Sequence, residues 1–261
     1  MDHYILDDYA QNNALRNQDT RLKLLVGIGA MLIGLLSQSP VTPILIALTM
    51  AIITIFLAKI PARLYLALFT IPFSFAFFSC IVILFTSGGG MTLVSLLVGP
   101  VNVTITTGSA NLALLLIART LGGMSALFFI ALTIPMGEIF SMMHRLRLPK
   151  NFVDLAMLIY NFIFVLVGEA IAIHTAQQLK NGYSSLSRSI NSFGLLSGML
   201  FIRAIGKGED MMTAMDARCY NGKFVLPDET KRPGVPAVML SAFFLAGFSV
   251  IAMLTMTIRV F

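Results

Sequence analysis

Residues 151–181, with the sequence NFVDLAMLIYNFIFVLVGEAIAIHTAQQLKN, decide how the chain is placed relative to a lipid bilayer. The stretch is apolar, but Asp154, Asn161, Gly168 and Thr175 recur at every seventh position and form one narrow polar stripe on a helix. A charged group at the centre of a bilayer costs up to about 3 kcal/mol. We therefore predict a helix of roughly 45 Å that lies along or under the inner leaflet.

The basic residues on both sides of this stretch favour the same placement. Three of them, Arg145, Arg147 and Lys150, lie just before it, and eight more lie between residues 180 and 232. Cytoplasmic loops of membrane proteins carry the excess of Lys and Arg, so both basic segments are expected on the cytoplasmic face. A helix that crossed the bilayer between them would place them on opposite faces.

The rest of the chain has the composition of a membrane protein. Of its 261 residues, 57% are hydrophobic and 11% are charged, whereas a soluble domain carries about a quarter charged residues. Residues 87–108 are uncharged and predict an external loop or a short hairpin. The other long apolar stretches lie at 22–39, 43–58, 64–86, 109–134 and 234–258.

These features predict an all-α polytopic membrane protein with about five transmembrane helices. The N-terminal tail and the first four spans occupy residues 1–134, a cytoplasmic domain of long helices occupies 135–232, and the final span occupies 233–261. We expect the N-terminus inside the cell and the C-terminus outside. Because the basic residues collect in the cytoplasmic segments, among them three within residues 1–23, the net charge of +6 indicates membrane topology and not nucleic-acid binding.

Three helices are predicted in the cytoplasmic domain, at residues 136–146, 151–181 and 193–220. The last two end alike, since Lys180 is followed by Gly182 and Arg218 by Gly222. We expect Gly182 to take the left-handed conformation that ends many helices. The two cations either stabilise the helix ends through the helix dipole or project into an acidic groove on a partner protein.

Two further groups are candidates for contacts with partner subunits. Met211, Met212 and Met215 precede Arg218 at helical spacing and form either a soft recognition surface or core contacts with the long helix. Arg119 is an ionisable group well inside a predicted span, where a charge is a functional-site hypothesis by default. Its partner is the backbone, water or another subunit.

Several motifs together resemble one family of transport proteins. Residues 214–220, Ala-Met-Asp-Ala-Arg-Cys-Tyr, are similar to the Ala-Met-x-Ala-Arg-Gly-Tyr signature that ends a coupling helix in the transmembrane T subunits of energy-coupling factor (ECF) transporters. Leu-Thr-Ile-Pro at 132–135, Arg-Leu-Arg-Leu-Pro at 145–149 and Tyr-Asn-Phe-Ile-Phe-Val-Leu at 160–166 resemble the cobalt-type branch of that family, CbiQ. The resemblance extends over nearly the whole chain.

The resemblance implies a membrane scaffold whose coupling-helix tips dock into grooves on two cytoplasmic ATPases. The second docking motif is occupied by Ala217, Arg218 and Cys219, and the first by Leu179, Lys180 and Asn181. Cys219 stands where the family has Gly, and Lys180 stands where Arg is usual. Because Lys cannot form the two parallel hydrogen bonds that Arg makes with a carboxylate, the first motif departs further from the family pattern.

The same resemblance implies the partners and the cargo. ATP is bound by two ABC ATPase subunits of the CbiO type, and cobalt for cobalamin biosynthesis is bound by a CbiM-like membrane subunit, which a small CbiN-like subunit accompanies. This chain then carries no cofactor, no metal site and no catalytic residue, and it lies in the plasma membrane of a prokaryote. The alternatives are a T component for nickel or another ECF substrate, and an autonomous secondary transporter.

The residue types agree with a subunit that performs no chemistry of its own. The sequence contains no G-x-x-x-x-G-K-[ST] motif for binding phosphates, and His3, His144 and His174 are scattered. The predicted spans contain no paired acids and no nucleophile beside a base. An intramembrane enzyme is therefore the weakest of the functional hypotheses.

Overall fold

The computed structural model of the chain describes residues 9–16, 18–86, 92–98, 101–146, 148–220 and 234–255. Its helices are α1 (Thr20–Leu36), α2 (Val41–Ile52, continued by the π-helical segment Ile53–Leu57), α3 (Ala62–Thr86), α4 (Thr107–Thr133), α5 (Met136–Arg145), α6 (Lys150–Leu179), α7 (Leu186–Ala217) and α8 (Val235–Leu254). Two strands, β1 (Thr92–Val98) and β2 (Val101–Thr106), lie between α3 and α4.

The helical membrane architecture predicted from the sequence is confirmed. Among the described residues, five helices are long and apolar enough to cross a membrane, namely α3, α4, α6, α7 and α8. The apolar stretches predicted at 22–39 and 43–58 form shorter helices. α1 has 17 residues, and α2 with its π-helical segment runs from Val41 to Leu57. Length and composition thus admit both α6 and α7 as spans, and the placement of both helices on the cytoplasmic side stays a prediction.

The uncharged segment before α4 contains a short antiparallel hairpin. β1 pairs with β2, with Ser95 opposite Thr104 and Val98 opposite Val101. β2 leads directly into α4, where the Ser109 amide donates to Thr106 Oγ1 at 3.2 Å and the Thr106 amide donates to Ser109 Oγ at 3.0 Å. This reciprocal capping box gives hydrogen-bond acceptors to amide groups that have no partner within the first turn of the helix.

The chain divides into two compact units, of which the first comprises Met1–Ile139 and Glu229–Phe261. Its main core lies where α1, α2, α4 and α8 meet, and the buried residues there are Ala30, Ile46, Met50, Ala126, Phe129 and Phe248. A Cβ atom on Gly122 would lie 2.8 Å from the Pro43 carbonyl oxygen. The absence of a side chain at this position therefore lets α4 pack directly against the start of α2.

Buried hydroxyl groups connect the helices of the first unit. The Tyr65 hydroxyl is 2.7 Å from Ser125 Oγ, which donates in turn to the Ala47 carbonyl at 2.9 Å. Thr42 Oγ1 and Thr255 Oγ1 are 3.0 Å apart, which joins α2 to the end of α8. Because a polar group buried without a partner is costly, these hydrogen bonds favour one relative position of the helices.

The second unit, Phe140–Asp228, contains the antiparallel pair α6 and α7. The bounds of α6 agree with the predicted helix to within two residues. The predicted start of α7 at residue 193 was wrong, because the Arg188 amide donates to Ser185 Oγ at 3.4 Å and the helix begins at Leu186. The helix ends at Ala217, and the stop predicted at Gly222 lies outside the described residues.

Candidate functional site

The C-terminal end of α6 carries the first predicted docking motif. Lys180 is the C-cap, with φ −91° and ψ 15°, and the next residue, Asn181, has a φ of 55°. The Asn181 amide donates to the Gln178 carbonyl at 3.0 Å, and the Gly182 amide donates to the Gln177 carbonyl at 2.9 Å. These two hydrogen bonds form a Schellman motif, which satisfies carbonyl groups at the end of a helix.

The C-terminal end of α7 carries the second predicted docking motif and has the same backbone. Arg218 is the C-cap, with φ −94° and ψ 15°, and Cys219 has a φ of 55°. The Cys219 amide donates to the Asp216 carbonyl at 3.0 Å, and the Tyr220 amide donates to the Met215 carbonyl at 3.1 Å. Two segments with different side chains therefore end in the same Schellman motif.

Both cations are accessible at these helix tips. Lys180 and Arg218 occupy the same position, one residue past the helix, and both are exposed, as are Asn181 and Cys219. Leu179 is 83% exposed. The helix dipole stabilises a cation here by about 0.3–1 kcal/mol, and the exposed charge stays available to an acidic surface.

The conformation predicted for Gly182 was wrong, because the left-handed residue is Asn181. Asn enters this region more readily than most residues, since its short polar side chain forms local hydrogen bonds. Gly182 has a different role, which is close packing. A Cβ atom there would lie 2.7 Å from Ser192 Oγ and 2.9 Å from the Gln177 carbonyl oxygen.

Side chains of the turn and of both helices hold the first tip in place. Gln177 Nε2 donates to the Ser192 carbonyl at 2.9 Å, and the Tyr183 hydroxyl donates to Gln177 Oε1 at 2.8 Å. Ser192 Oγ donates to the Gly182 carbonyl at 2.9 Å. The ring of His174 packs against Tyr183 with a centroid distance of 4.8 Å. We call Gln177, Gly182, Tyr183 and Ser192 the tip network.

The three predicted contact methionines lie along an apolar groove between α6 and α7. Met211 and Met215 are half-buried, whereas Met212 is 64% exposed. The remaining residues of the groove are Leu158, Ile159, Phe162, Ile163, Leu166, Ala204 and Gly208. The methionines thus share a surface with the long helix, and their contact with a partner stays a prediction.

Arg119 is bonded to the end of α1. Its Nε and Nη2 atoms donate to the Ser37 carbonyl at 3.2 and 2.7 Å. Ser37 is the C-cap of α1 and is 1% exposed. Of the partners considered for Arg119, the structure therefore provides the backbone, and a contact with another subunit stays a prediction.

Sequence analysis missed the burial of Lys23, which it counted among the cytoplasmic charges near the N-terminus. Lys23 is 5% exposed, and its Nζ donates to the Thr133 carbonyl at the end of α4 at 3.1 Å. The signal was available in the spacing, because Lys23, Gly27 and Ala30 share one buried face of α1. Within the described ranges, no group of three or more His, Cys, Asp or Glu residues could hold a metal ion.

Comparisons with known proteins agree on one family. Residues 11–231 match the family model CbiQ, described as cobalt transport protein. Over 87% of its length, the chain is 45% identical to the putative fused cobalt transport protein CbiMQ of Methanocorpusculum labreanum, of which it spans 38%. It is 32% identical to the cobalt transport protein CbiQ of Salmonella typhimurium, over 60% of this chain and 70% of that one.

A further relative covers almost the full length. The chain is 34% identical to an uncharacterized protein of Methanocaldococcus jannaschii, over 98% of this chain and 95% of that protein. Both helix tips lie inside the residues that match the family model. The similarity therefore includes the parts of the molecule on which the candidate site is built.

Proposed function

Because this chain belongs to the CbiQ family of cobalt transport proteins, we propose that it is the transmembrane energy-coupling subunit of an ATP-driven ECF-type cobalt importer. Two cytoplasmic ABC ATPase subunits bind and hydrolyse ATP, and a separate membrane subunit binds the metal ion. This chain joins them. Residues 135–232 form the coupling domain, which faces the cytoplasm together with the N-terminus, and residues 1–134 and 233–261 contain the spans.

The observation that carries this proposal is the pair of helix tips with one shared geometry. Each tip holds an exposed cation on a hydrogen-bonded Schellman turn. A backbone that is ordered before binding loses little conformational freedom when the side chain enters a groove. Two such tips on one polypeptide suit docking to two ATPase subunits.

The two motifs are expected to contribute unequally. Arg218 can form two parallel hydrogen bonds with a carboxylate, which is the strong geometry for such a contact. Lys180 offers a single compact charge on a flexible stem. We therefore assign the stronger docking contact to Ala217, Arg218 and Cys219, and the weaker one to Leu179, Lys180 and Asn181.

A CbiM-like subunit is the proposed partner within the membrane. The name of the Methanocorpusculum labreanum relative joins CbiM to CbiQ in one fused protein, which supports a close association of the two kinds of chain. A small CbiN-like subunit and the lipid bilayer complete the proposed surroundings. Met211, Met212, Met215 and Arg119 are candidate contacts with partner subunits, without assignment to one of them.

The docking role is tested by reversing the charge at the second tip. Arg218→Glu is expected to lower the amount of ATPase that co-purifies with this chain by more than about tenfold, because a cation in an acidic groove is replaced by a repelled carboxylate. The measurement is the stoichiometry of subunits after purification of the co-expressed complex through a tag on this chain.

Lys207→Glu is the matched control, because Lys207 is an exposed cation on the same helix, away from the tip. We expect this variant to retain the ATPase subunits at the wild-type ratio. Both variants should reach the membrane fraction in equal amounts. Stoichiometric ATPase on membrane-inserted Arg218→Glu would contradict the docking role.

A further inference from the structure

Buried and half-buried polar groups connect four segments of the first unit at one end of α1 and α4. We call this set, Asn13, Thr20, Lys23, Thr133 and Glu138, the polar node. Lys23 Nζ and Asn13 Nδ2 both donate to the Thr133 carbonyl, at 3.1 and 3.3 Å. The Thr20 hydroxyl donates to Glu138 Oε2. The node therefore joins the segment before α1, the first turn of α1, the last turn of α4 and the first turn of α5.

The members of the node depend on one another. The Thr133 carbonyl ends α4, where carbonyl groups lack partners within the helix, so Lys23 and Asn13 supply the missing donors. Burial of the Lys23 ammonium group, which is 5% exposed, is costly, and the attraction of the Glu138 and Asp19 carboxylates offsets part of that cost. Removing Glu138 would leave the buried Thr20 hydroxyl without this acceptor and Lys23 without one of the carboxylates that attract it.

Glu138 lies at the point where the first unit continues into the predicted coupling domain. It lies in the first turn of α5, and residues up to Ile139 belong to the unit that contains α1 and α4. The chain that follows carries both helix tips. The hydrogen bond to Thr20 and the attraction to Lys23 thus fasten the beginning of α5 to the helices before it.

We infer that Glu138 is a positioning residue for transport, because it fastens the start of the coupling region to α1. This inference rests on the proposed function. Force from the ATPase subunits reaches the first unit through the chain that begins at α5. When the first turn of α5 is bonded to α1, a movement of α5 also moves α1 and α4. When these bonds are absent, α5 can move without them. Glu138 should then affect how much transport each ATP hydrolysis achieves, and not whether the ATPase subunits bind.

The test uses the complete complex of this chain with its ATPase and substrate-binding subunits, reconstituted in lipid vesicles. Co²⁺ uptake and ATP hydrolysis are measured on the same preparation, together with the subunit stoichiometry. Glu138→Ala is expected to retain the ATPase subunits but to lower Co²⁺ uptake per ATP hydrolysed by about tenfold, within the range known for mutations that alter coupling between sites. Thr20→Val, which removes only the hydroxyl donor, should lower it in the same direction.

Glu138→Gln distinguishes the effect of the hydrogen bond to Thr20 from the effect of the negative charge on Lys23. Its side-chain carbonyl still accepts the Thr20 hydrogen bond, so we expect it to restore a large part of the uptake lost in Glu138→Ala. Glu209→Ala, which removes an exposed carboxylate of α7, should leave the ratio of uptake to hydrolysis unchanged.

Two outcomes would overturn the inference. Unchanged uptake per ATP in Glu138→Ala would show that the first turn of α5 need not be fastened. Loss of the ATPase subunits from this variant would show that Glu138 acts on assembly. A wild-type chain that retains no ATPase would instead refute the proposed function, so the two failures are distinguishable.

Discussion

The two helix tips have the same backbone but different support. At the first tip, the tip network connects the turn to α7, and α7 begins only six residues after Lys180. At the second tip, the turn ends at Tyr220 in the described part of the chain, and the left-handed position is held by Cys219. Among the described contacts, side chains connect the first tip to α7, and both tips share the Schellman hydrogen bonds.

The shared backbone indicates how the proposed docking motif can tolerate substitutions. The motif requires a helix end, a cation one residue beyond it and a left-handed residue after the cation. Three residue types can occupy the left-handed position. Gly does so most easily, Asn less easily and Cys least easily. The identity of the third residue is thus expected to change the backbone energy of the turn, whereas the identity of the cation is expected to decide the proposed contact with a partner.

The largest effect on tip stability is expected from Gly182→Ala. The added Cβ would approach the Gln177 carbonyl oxygen to 2.9 Å, so the turn must move and both Schellman hydrogen bonds weaken. We expect the first tip to lose about 2–3 kcal/mol of stability against local opening, as other overpacked sites do. Hydrogen exchange of the Asn181 and Gly182 amides in the purified protein would measure it.

Gly194→Ala is the control for this prediction, because nothing lies within 4 Å of a Cβ at that position of α7. It should leave the first tip unchanged or more stable, since Ala favours a helix over Gly. Equal protection of the Gly182 amide in wild type and Gly182→Ala would contradict the close packing.

A smaller effect is expected from Gln177→Ala. The change removes the hydrogen bonds of Gln177 to Ser192 and Tyr183 but leaves the Schellman motif intact. Because each such hydrogen bond contributes about 0.5–1.5 kcal/mol net, the first tip should open about ten times more often. The same exchange experiment measures this opening, and the second tip should not respond.

Gln178→Ala is a close control, since Gln178 is the exposed neighbour of Gln177 on the same helix. It takes part in the turn through its backbone carbonyl, which the substitution retains. If both variants destabilised the tip equally, the effect would come from lost helix surface and not from the tip network.

The fold could be predicted from the sequence where hydropathy and charge act over long segments. Apolar stretches and basic loops predicted the helices of the first unit and, to within two residues, the bounds of α6. The start of α7 was missed because Ser184 to Ser189 resembles a polar linker, although Ser185 is also a good N-cap. The Ser192 hydroxyl of the same helix also donates to the Gly182 carbonyl, a contact that local composition does not reveal.

The candidate site was predictable in its residue types but not in its geometry. The helix ends predicted at residues 181 and 220 lie two and three residues beyond the observed ends at Leu179 and Ala217, and Gly222 lies outside the described residues. The left-handed residue was misassigned at the first tip, because Gly182 is required there for its contact with Ser192, which lies ten residues away. The polar node was missed for a similar reason, since Lys23 meets Thr133 across 110 residues.

The smallest effect is expected at the left-handed positions. A residue other than Gly costs about 1–2 kcal/mol in this conformation, and the cost is lower for Asn. Cys219→Gly should therefore stabilise the second tip by about 0.5–1 kcal/mol, while Asn181→Gly should change the first tip by only a few tenths. Hydrogen exchange at the Tyr220 and Gly182 amides compares the two tips in one experiment. A turn that is formed more of the time should also retain more ATPase, since docking selects the ordered tip. Equal responses of the two tips would contradict this prediction, because they would mean that Cys219 and Asn181 carry the same strain in the left-handed conformation.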